Sequence, residues 1–336
     1  MAVQNGPPPF LFRVYIDSEN KAKMKNYFLK SLFRAVGIMF IVMTIVFVLL
    51  RSGPVDPALF ILGDYATADA LKSLRAELML DRPIYIQYIH FVNQIFHGDF
   101  GRSMINKQPV LSQLLSVLPY TIELMVTGVL VGILLGVPLG VAAALKPSTL
   151  IDHLIRLTTL VGISVPIFVS GIFLISIFSI TLDWLPIMEL SGKGGVKERI
   201  LILILPALSC GIWMLASIAR LTRASLLEVL KKDYVTTARS KGLKESVVIL
   251  VHALRNAILP LITSMGIDIN ILLGSAVLVE VVFTRPGVGR LVVESITSGD
   301  FAIVQVVIMF YAGAIVIVNF LVDFLYSFAD PRIVYK

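Results

Sequence analysis

The sequence predicts an all-α, multi-pass membrane protein with six transmembrane helices, and three observations predict it. Hydrophobic residues make up 57% of the 336 and charged residues only 15%, whereas a water-facing surface calls for roughly a quarter charged. The mean hydropathy of +0.88 is that of a chain whose solvent is lipid. Finally, the apolar residues fall into six long runs with the charges gathered between them. The length alone would suit two soluble domains, and these observations exclude that reading.

A helix rises about 1.5 Å per residue, so about 20 apolar residues cross a hydrocarbon core about 30 Å thick. The uncharged runs place spans at about 32–50, 121–145, 157–182, 200–219, 256–282 and 301–325. A basic segment precedes the first run, as in a signal peptide. However, Arg51-Ser52-Gly53-Pro54 offers no small-x-small cleavage site, so the run reads as an uncleaved span. Residues 1–24 read as a mobile cytoplasmic leader containing Pro7-Pro8-Pro9, and residues 25–336 as one transmembrane domain. In the loop at 51–120, Pro54, Pro57, Gly63 and Arg82-Pro83 punctuate a helical stretch from Ala68 to Leu80, predicting a small helical cap on the outer face. Pro138 and Pro166 lie inside spans two and three, where they can kink a helix.

Charge sets the orientation. Residues 1–34 carry six Lys or Arg against Asp17 and Glu19, and residues 220–255 carry eight against Glu228, Asp233 and Glu245. The positive-inside rule puts both segments, and with six spans both termini, in the cytoplasm. The net charge of +7 therefore reports topology and gives no reason to expect a nucleic-acid partner. Cys210 is the only cysteine and sits in an apolar run, where it reads as a small packing residue. His90, His97, His153 and His252 are too scattered for a metal site, and no Gly-x-Ser-x-Gly elbow marks a nucleophile. No catalytic or metal residue is assigned.

Charged groups inside a membrane are expensive and need a partner or a water-filled path. Asp268 and Asn270 in span five are the deepest such pair. They read equally as lining the route of a polar solute or as bonding a helix of another subunit. Glu280 reads as an anchor beneath the Pro286-Gly287 turn, while Asn319 and Asp323, four apart, share one face of span six for structural pairing.

The cytoplasmic loop at 220–256 is longer than a connection requires and too short for a domain, which suggests a docking element. Within it, Asp233 through Gly242 predicts a two-turn helix. Asp233 can cap the free N–H groups, Arg239 and Lys241 suit the negative end of the dipole, and Gly242 supplies a left-handed stop. Tyr234 and Ala238 form a small apolar stripe in need of a partner. The alternative is a surface helix lying on lipid headgroups.

Thr236-Thr237-Ala238 followed by Gly242 resembles the EAA-type loop of ABC importer permeases. The matching Ala and Gly, together with the long interval from Gly242 to Ile258-Leu259-Pro260, point to the peptide/nickel branch. The likeness to the B-type subunit of dipeptide and oligopeptide permeases extends over about residues 25–335. It includes Gly53-Pro54-Val55-Asp56-Pro57, Gly98-Asp99-Phe100-Gly101-Arg102-Ser103, Leu118 to Leu124, Arg285-Pro286-Gly287-Val288-Gly289-Arg290-Leu291 and Asp330-Pro331-Arg332.

The resemblance implies a type I ABC importer permease fold in the cytoplasmic (inner) membrane. Asp233, Tyr234, Ala238, Arg239 and Gly242 would form a coupling helix that docks on an ATPase. It also implies a second related permease, two cytoplasmic ATPase subunits that hold ATP and Mg, and an extracytoplasmic solute-binding protein. This chain has no Gly-x-x-x-x-Gly-Lys-Ser/Thr loop, and Gly192-Lys193-Gly194-Gly195 has the wrong spacing, so no nucleotide cofactor is assigned to it. The expected solute is a peptide, with a nickel chelate, glutathione or a short oligosaccharide as alternatives. An ion-coupled secondary transporter is the other class, disfavoured by the lack of an inverted repeat.

Overall fold

The computed structural model describes residues 33–52, 57–63, 67–187 and 195–329. The leader 1–24, the Gly53 to Asp56 segment and Asp330-Pro331-Arg332 lie outside the described residues. Helices are the regular elements of the described residues, joined by turns and loops, one of which holds an isolated bridge between Arg102 and Pro109. Helix α1 is Phe33–Ser52. Three short helices follow: α2 (Pro57–Leu62), α3 (Ala68–Glu77) and α4 (Ile84–Phe96). Thr67 caps α3 by accepting from the Ala70 N–H, and Arg82-Pro83 separates α3 from α4.

Helix α5 (Val110–Leu145) has 36 residues and α8 (Val196–Val229) has 34. At about 1.5 Å per residue each exceeds 50 Å, so both project beyond the hydrocarbon, further than the apolar runs alone indicate. The remaining long helices are α11 (Leu254–Val282) and α13 (Phe301–Ala329), joined by α12 (Val288–Ser298). At the other end of α11, α9 (Asp233–Ser240) and α10 (Glu245–Val247) precede a π-helical stretch, Val248–Ala253, that runs directly into α11. Five helices are long and apolar enough to cross a membrane.

The third expected span departs from a single rod. It consists of α6 (Leu150–Ser164) and α7 (Ile167–Leu174), which continues as a π-helical stretch to Thr181, and the two halves meet at 104°. Pro166 has no N–H to offer, and its ring forces Val165 out of the helical region, to φ −85° and ψ 125°. The sequence read this proline as a kink within one span; here it breaks the helix.

The core lies where α5 packs on α8. Gly128, Gly132, Gly136 and Gly140 recur every four residues and form one edge of α5. A Cβ at these positions would stand 2.7 Å from Cys210 Cβ, 2.4 Å from Met214 Cγ, 2.9 Å from the Leu215 carbonyl oxygen and 2.5 Å from Thr222 Cβ. Backbones thus meet over four turns, the small-residue packing that membrane helices use in place of a hydrophobic driving force. Beside this seam Leu124, Cys210, Leu272, Ala276 and Val279 join α5, α8 and α11 in one buried cluster.

Candidate functional site

Helix α9 turns back against the end of α8. Its buried residues are Val235 and Ala238, which pack with Val248 and against Val229 and Leu230. Tyr234 is 43% exposed, so the stripe expected from Tyr234 and Ala238 is in fact Val235 and Ala238, three apart. Asp233 likewise departs from its expected role. Lys232 is the N-cap residue, with no side-chain cap, and Asp233 is the first helical residue. There its carboxylate acts on the positive end of the helix by charge alone, while its carbonyl accepts a bond from the Thr237 hydroxyl at 2.9 Å.

Gly242 takes φ +75°, and its N–H closes the helix on the Arg239 carbonyl at 2.9 Å. A Cβ there would meet no atom within 4 Å, so the demand for glycine is purely conformational. Arg239 bonds Glu245 across this turn, with Nη2 to Oε1 at 2.6 Å, and that bond raises the guanidinium further above its ordinary value. Asp233, Tyr234, Thr236, Thr237, Arg239 and Ser240 face outward as a polar surface with one aromatic ring.

Deeper in the bilayer, Asp268 and Asn270 are not brought together. Two positions apart on a helix means about 200° of rotation. Asp268 accepts a bond from Ser217 of α8 at 2.8 Å, whereas Asn270 donates to Asn319 of α13 at 2.7 Å. Each closes a contact between helices of this chain.

The end of α11 far from α9 is organised by Glu280, which is fully buried. Its Oε1 accepts from Thr121 of α5 at 2.6 Å, and its Oε2 from the N–H groups of Gly289 at 2.7 Å and Arg290 at 3.2 Å. The Thr121 hydroxyl in turn accepts from the Val288 N–H at 2.9 Å. A carboxylate from one helix therefore satisfies the free donors at the start of α12. Gly287 and Gly289 permit this approach, since a Cβ at Gly287 would lie 2.1 Å from the Glu280 carboxyl carbon. The anchor under the Pro286-Gly287 turn is this contact.

Three buried charge contacts escaped sequence reading. Asp152 forms a bidentate pair with Arg223, with Nε to Oδ1 at 2.5 Å and Nη2 to Oδ2 at 2.7 Å, fastening the start of α6 to α8. Glu123 takes Arg285 at 2.6 Å and Arg199 at 3.2 Å, joining α5, the turn before α12 and α8. Burial pushes the Arg285 guanidinium below its usual value, and Glu123 opposes that shift. Asp300 accepts from Ser103 Oγ and from the Met104 N–H, holding the outer loop to the start of α13. The available signal was an acid within an apolar run, as in Leu150-Ile151-Asp152 and Thr121-Ile122-Glu123-Leu124. Among the described residues no three His, Cys, Asp or Glu side chains gather as a metal site would require.

Residues 136–335 match the family described as binding-protein-dependent transport system inner membrane component, and residues 24–125 match the N-terminal family of such membrane components. The chain belongs to this family: it is a multi-pass inner-membrane permease subunit of an ABC importer. It is 38% identical over 313 residues to the glutathione transport system permease protein GsiC of Escherichia coli (strain K12), covering 93% of this chain and 100% of that protein. It is 39% identical, with the same coverage, to a Sinorhizobium fredii (strain NBRC 101917 / NGR234) protein named "Probable peptide ABC transporter permease protein y4tP". Among solved structures, a chain of the inward-facing MetNI methionine ABC transporter aligns with a TM-score of 0.50 at 18% identity. That alignment covers 66% of this chain and 98% of the other, a likeness of fold.

Proposed function

We propose that this chain is one of two related permease subunits of an importer for short peptides, driven by two cytoplasmic ATPase subunits that carry ATP and Mg and supplied by an extracytoplasmic solute-binding protein. The observation that carries the reading is α9. It is a short helix with its apolar side already packed on its own chain, presenting Tyr234, Arg239 and the Gly242 exit outward at the inner end of the bundle. Such a helix is seated firmly enough to transmit displacement, and its exposed face is free for a partner. Family membership removes support from the ion-coupled reading. The peptide and glutathione relatives favour a peptide-like solute over a nickel chelate or oligosaccharide.

The test is made on the assembled transporter in proteoliposomes. Gly242→Val places a side chain at positive φ, at a cost of about 1 kcal/mol or more, and redirects the helix exit. Asp233→Ala removes a dipole interaction of about 0.3–1 kcal/mol and no cap. We expect Gly242→Val to weaken ATPase association and uncouple hydrolysis from peptide uptake while the spans insert normally, and Asp233→Ala to be much milder. Full ATPase binding and full uptake by the Gly242→Val complex would end the coupling role.

Asp268 remains the candidate beside the solute path. Asp268→Ala is expected to lower uptake more than it lowers assembly with the second permease, measured by copurification. Loss of assembly in parallel with uptake would make it a structural contact only.

A further inference from the structure

Between α6 and α8, towards their cytoplasmic ends, lies a cleft of about 620 Å³, within the usual range of about 300–1,000 Å³ for small-ligand sites. Its lining is segregated by depth. His153, Arg156, Arg220 and Arg223 lie at the cytoplasmic end, while Leu157 and Leu160 of α6 continue the wall towards the bilayer centre. Leu157 and Leu160 are 59% and 64% exposed, so no part of this chain covers them.

The three arginines are not equivalent. Arg223 is held by Asp152, which occupies its Nε and Nη2 and leaves Nη1 for another acceptor. Arg156 and Arg220 have no carboxylate within salt-bridge distance among the described residues. The cleft is thus lined by three arginines and no carboxylate: Asp152 is bonded to Arg223 and acts on Arg156 through space, and Asp268 acts on Arg220 without touching it. A cation at the edge of the hydrocarbon is costly without an anion, and both guanidinium groups are exposed, open to one from outside this chain. The surrounding membrane offers one partner with an oxyanion at headgroup depth and an apolar tail below it.

We propose that the α6–α8 cleft binds an anionic phospholipid of the inner leaflet, its phosphate held by Arg156 and Arg220 and oriented by the Asp152-fixed Arg223, and its acyl chain lying along Leu157 and Leu160. The site also bears on the break at Pro166. Lipid seated there would brace α6 against α8 a few residues before the chain turns through 104°. This reading is independent of the transported solute.

The experiment uses the complete transporter with its ATPases in nanodiscs of phosphatidylcholine containing a minor fraction of phosphatidylglycerol, with retained lipid measured by native mass spectrometry. Retained phosphatidylglycerol is expected in excess of its bulk fraction. The double variant Arg156→Gln with Arg220→Gln is expected to lose about twenty-five-fold in that affinity, at about fivefold per cation near the surface. Arg156→Lys with Arg220→Lys should keep most of it and shows that assembly survives substitution at these positions. Equal retention by the Gln and wild-type complexes overturns the proposal. Binding of glutathione or a dipeptide to the same arginines in pure phosphatidylcholine discs, displaced by no lipid, also overturns it, in favour of a solute site. A crosslink from Arg220→Cys to the second permease, showing the cleft filled by protein, overturns it as well.

Discussion

Replacing Gly132 by leucine is expected to prevent the permease from accumulating in a folded form. The first carbon of any side chain at this position would stand 2.4 Å from Met214 Cγ and 2.6 Å from Met214 Cβ, so rotation of the methionine alone does not clear it. Gly128, Gly136 and Gly140 hold the same two backbones together one turn on either side and beyond. Helix α5 therefore cannot lean away at one point without opening four. Overpacking at a yielding site costs about 1–3 kcal/mol; here the cost falls on the seam that organises the bundle, and the loss should exceed about 3 kcal/mol. Gly274→Ala in α11, where a Cβ would meet no atom within 4 Å, is the control, and should be neutral or slightly stabilising. Size-exclusion profiles and thermal unfolding of the detergent-solubilised complex provide the readout. A Gly132→Leu complex that melts with the wild type would show that the seam is not the organising contact.

Removing the Glu280 side chain is the second large effect expected. Glu280→Ala leaves the N–H groups of Gly289 and Arg290 and the Thr121 hydroxyl without their acceptor, in a site closed to water. Removing the charged partner of these buried donors should cost about 3–5 kcal/mol, less than the sum of three charge-assisted bonds because the desolvation of the carboxylate is removed with it. Glu280→Gln keeps one acceptor oxygen for the two N–H groups and should lose about half as much. Hydrogen exchange at residues 287–292 distinguishes this from general loosening. Accelerated exchange there, with α9 unaffected, is expected; wild-type protection at the start of α12 would show that Glu280 does not cap it.

The bilayer made much of this architecture readable in advance. Each span must be long and apolar because lipid satisfies no backbone group, so residue type alone marks spans such as 121–145 and 301–325. Gly242 was legible for a similar reason, since a short helix followed by Gly has few other conformations. What sequence could not show was which residues meet across distance. Asp152 and Arg223 are 71 residues apart, and nothing local to either names the other. Asp233 failed as a cap by one position, because the turn from Lys232 already begins the helix there. Spacing pairs Tyr234 with Ala238 as a stripe in need of a partner, but it cannot say which residue faces α8, and Val235 does. The four-residue recurrence of glycine from 128 to 140 was present in the letters. It went unread because such a stripe acquires meaning only when a second helix lies against it.

From Glu245 to Val282 the chain runs as 38 residues of unbroken helical path, about 57 Å at the ordinary rise. One end of this shaft carries Glu280 and, through it, the start of α12. The other end carries Val248, against which α9 is seated. Nothing between the two ends is a loop, and the points of give are Pro260 and the π-helical turn at Val248–Ala253. A tilt of the turn before α12 would therefore reach the seat of α9 at the far end of the shaft by leverage. Stiffening or softening the shaft at Pro260 would change how faithfully one side of the membrane feels the other, with both end contacts left intact.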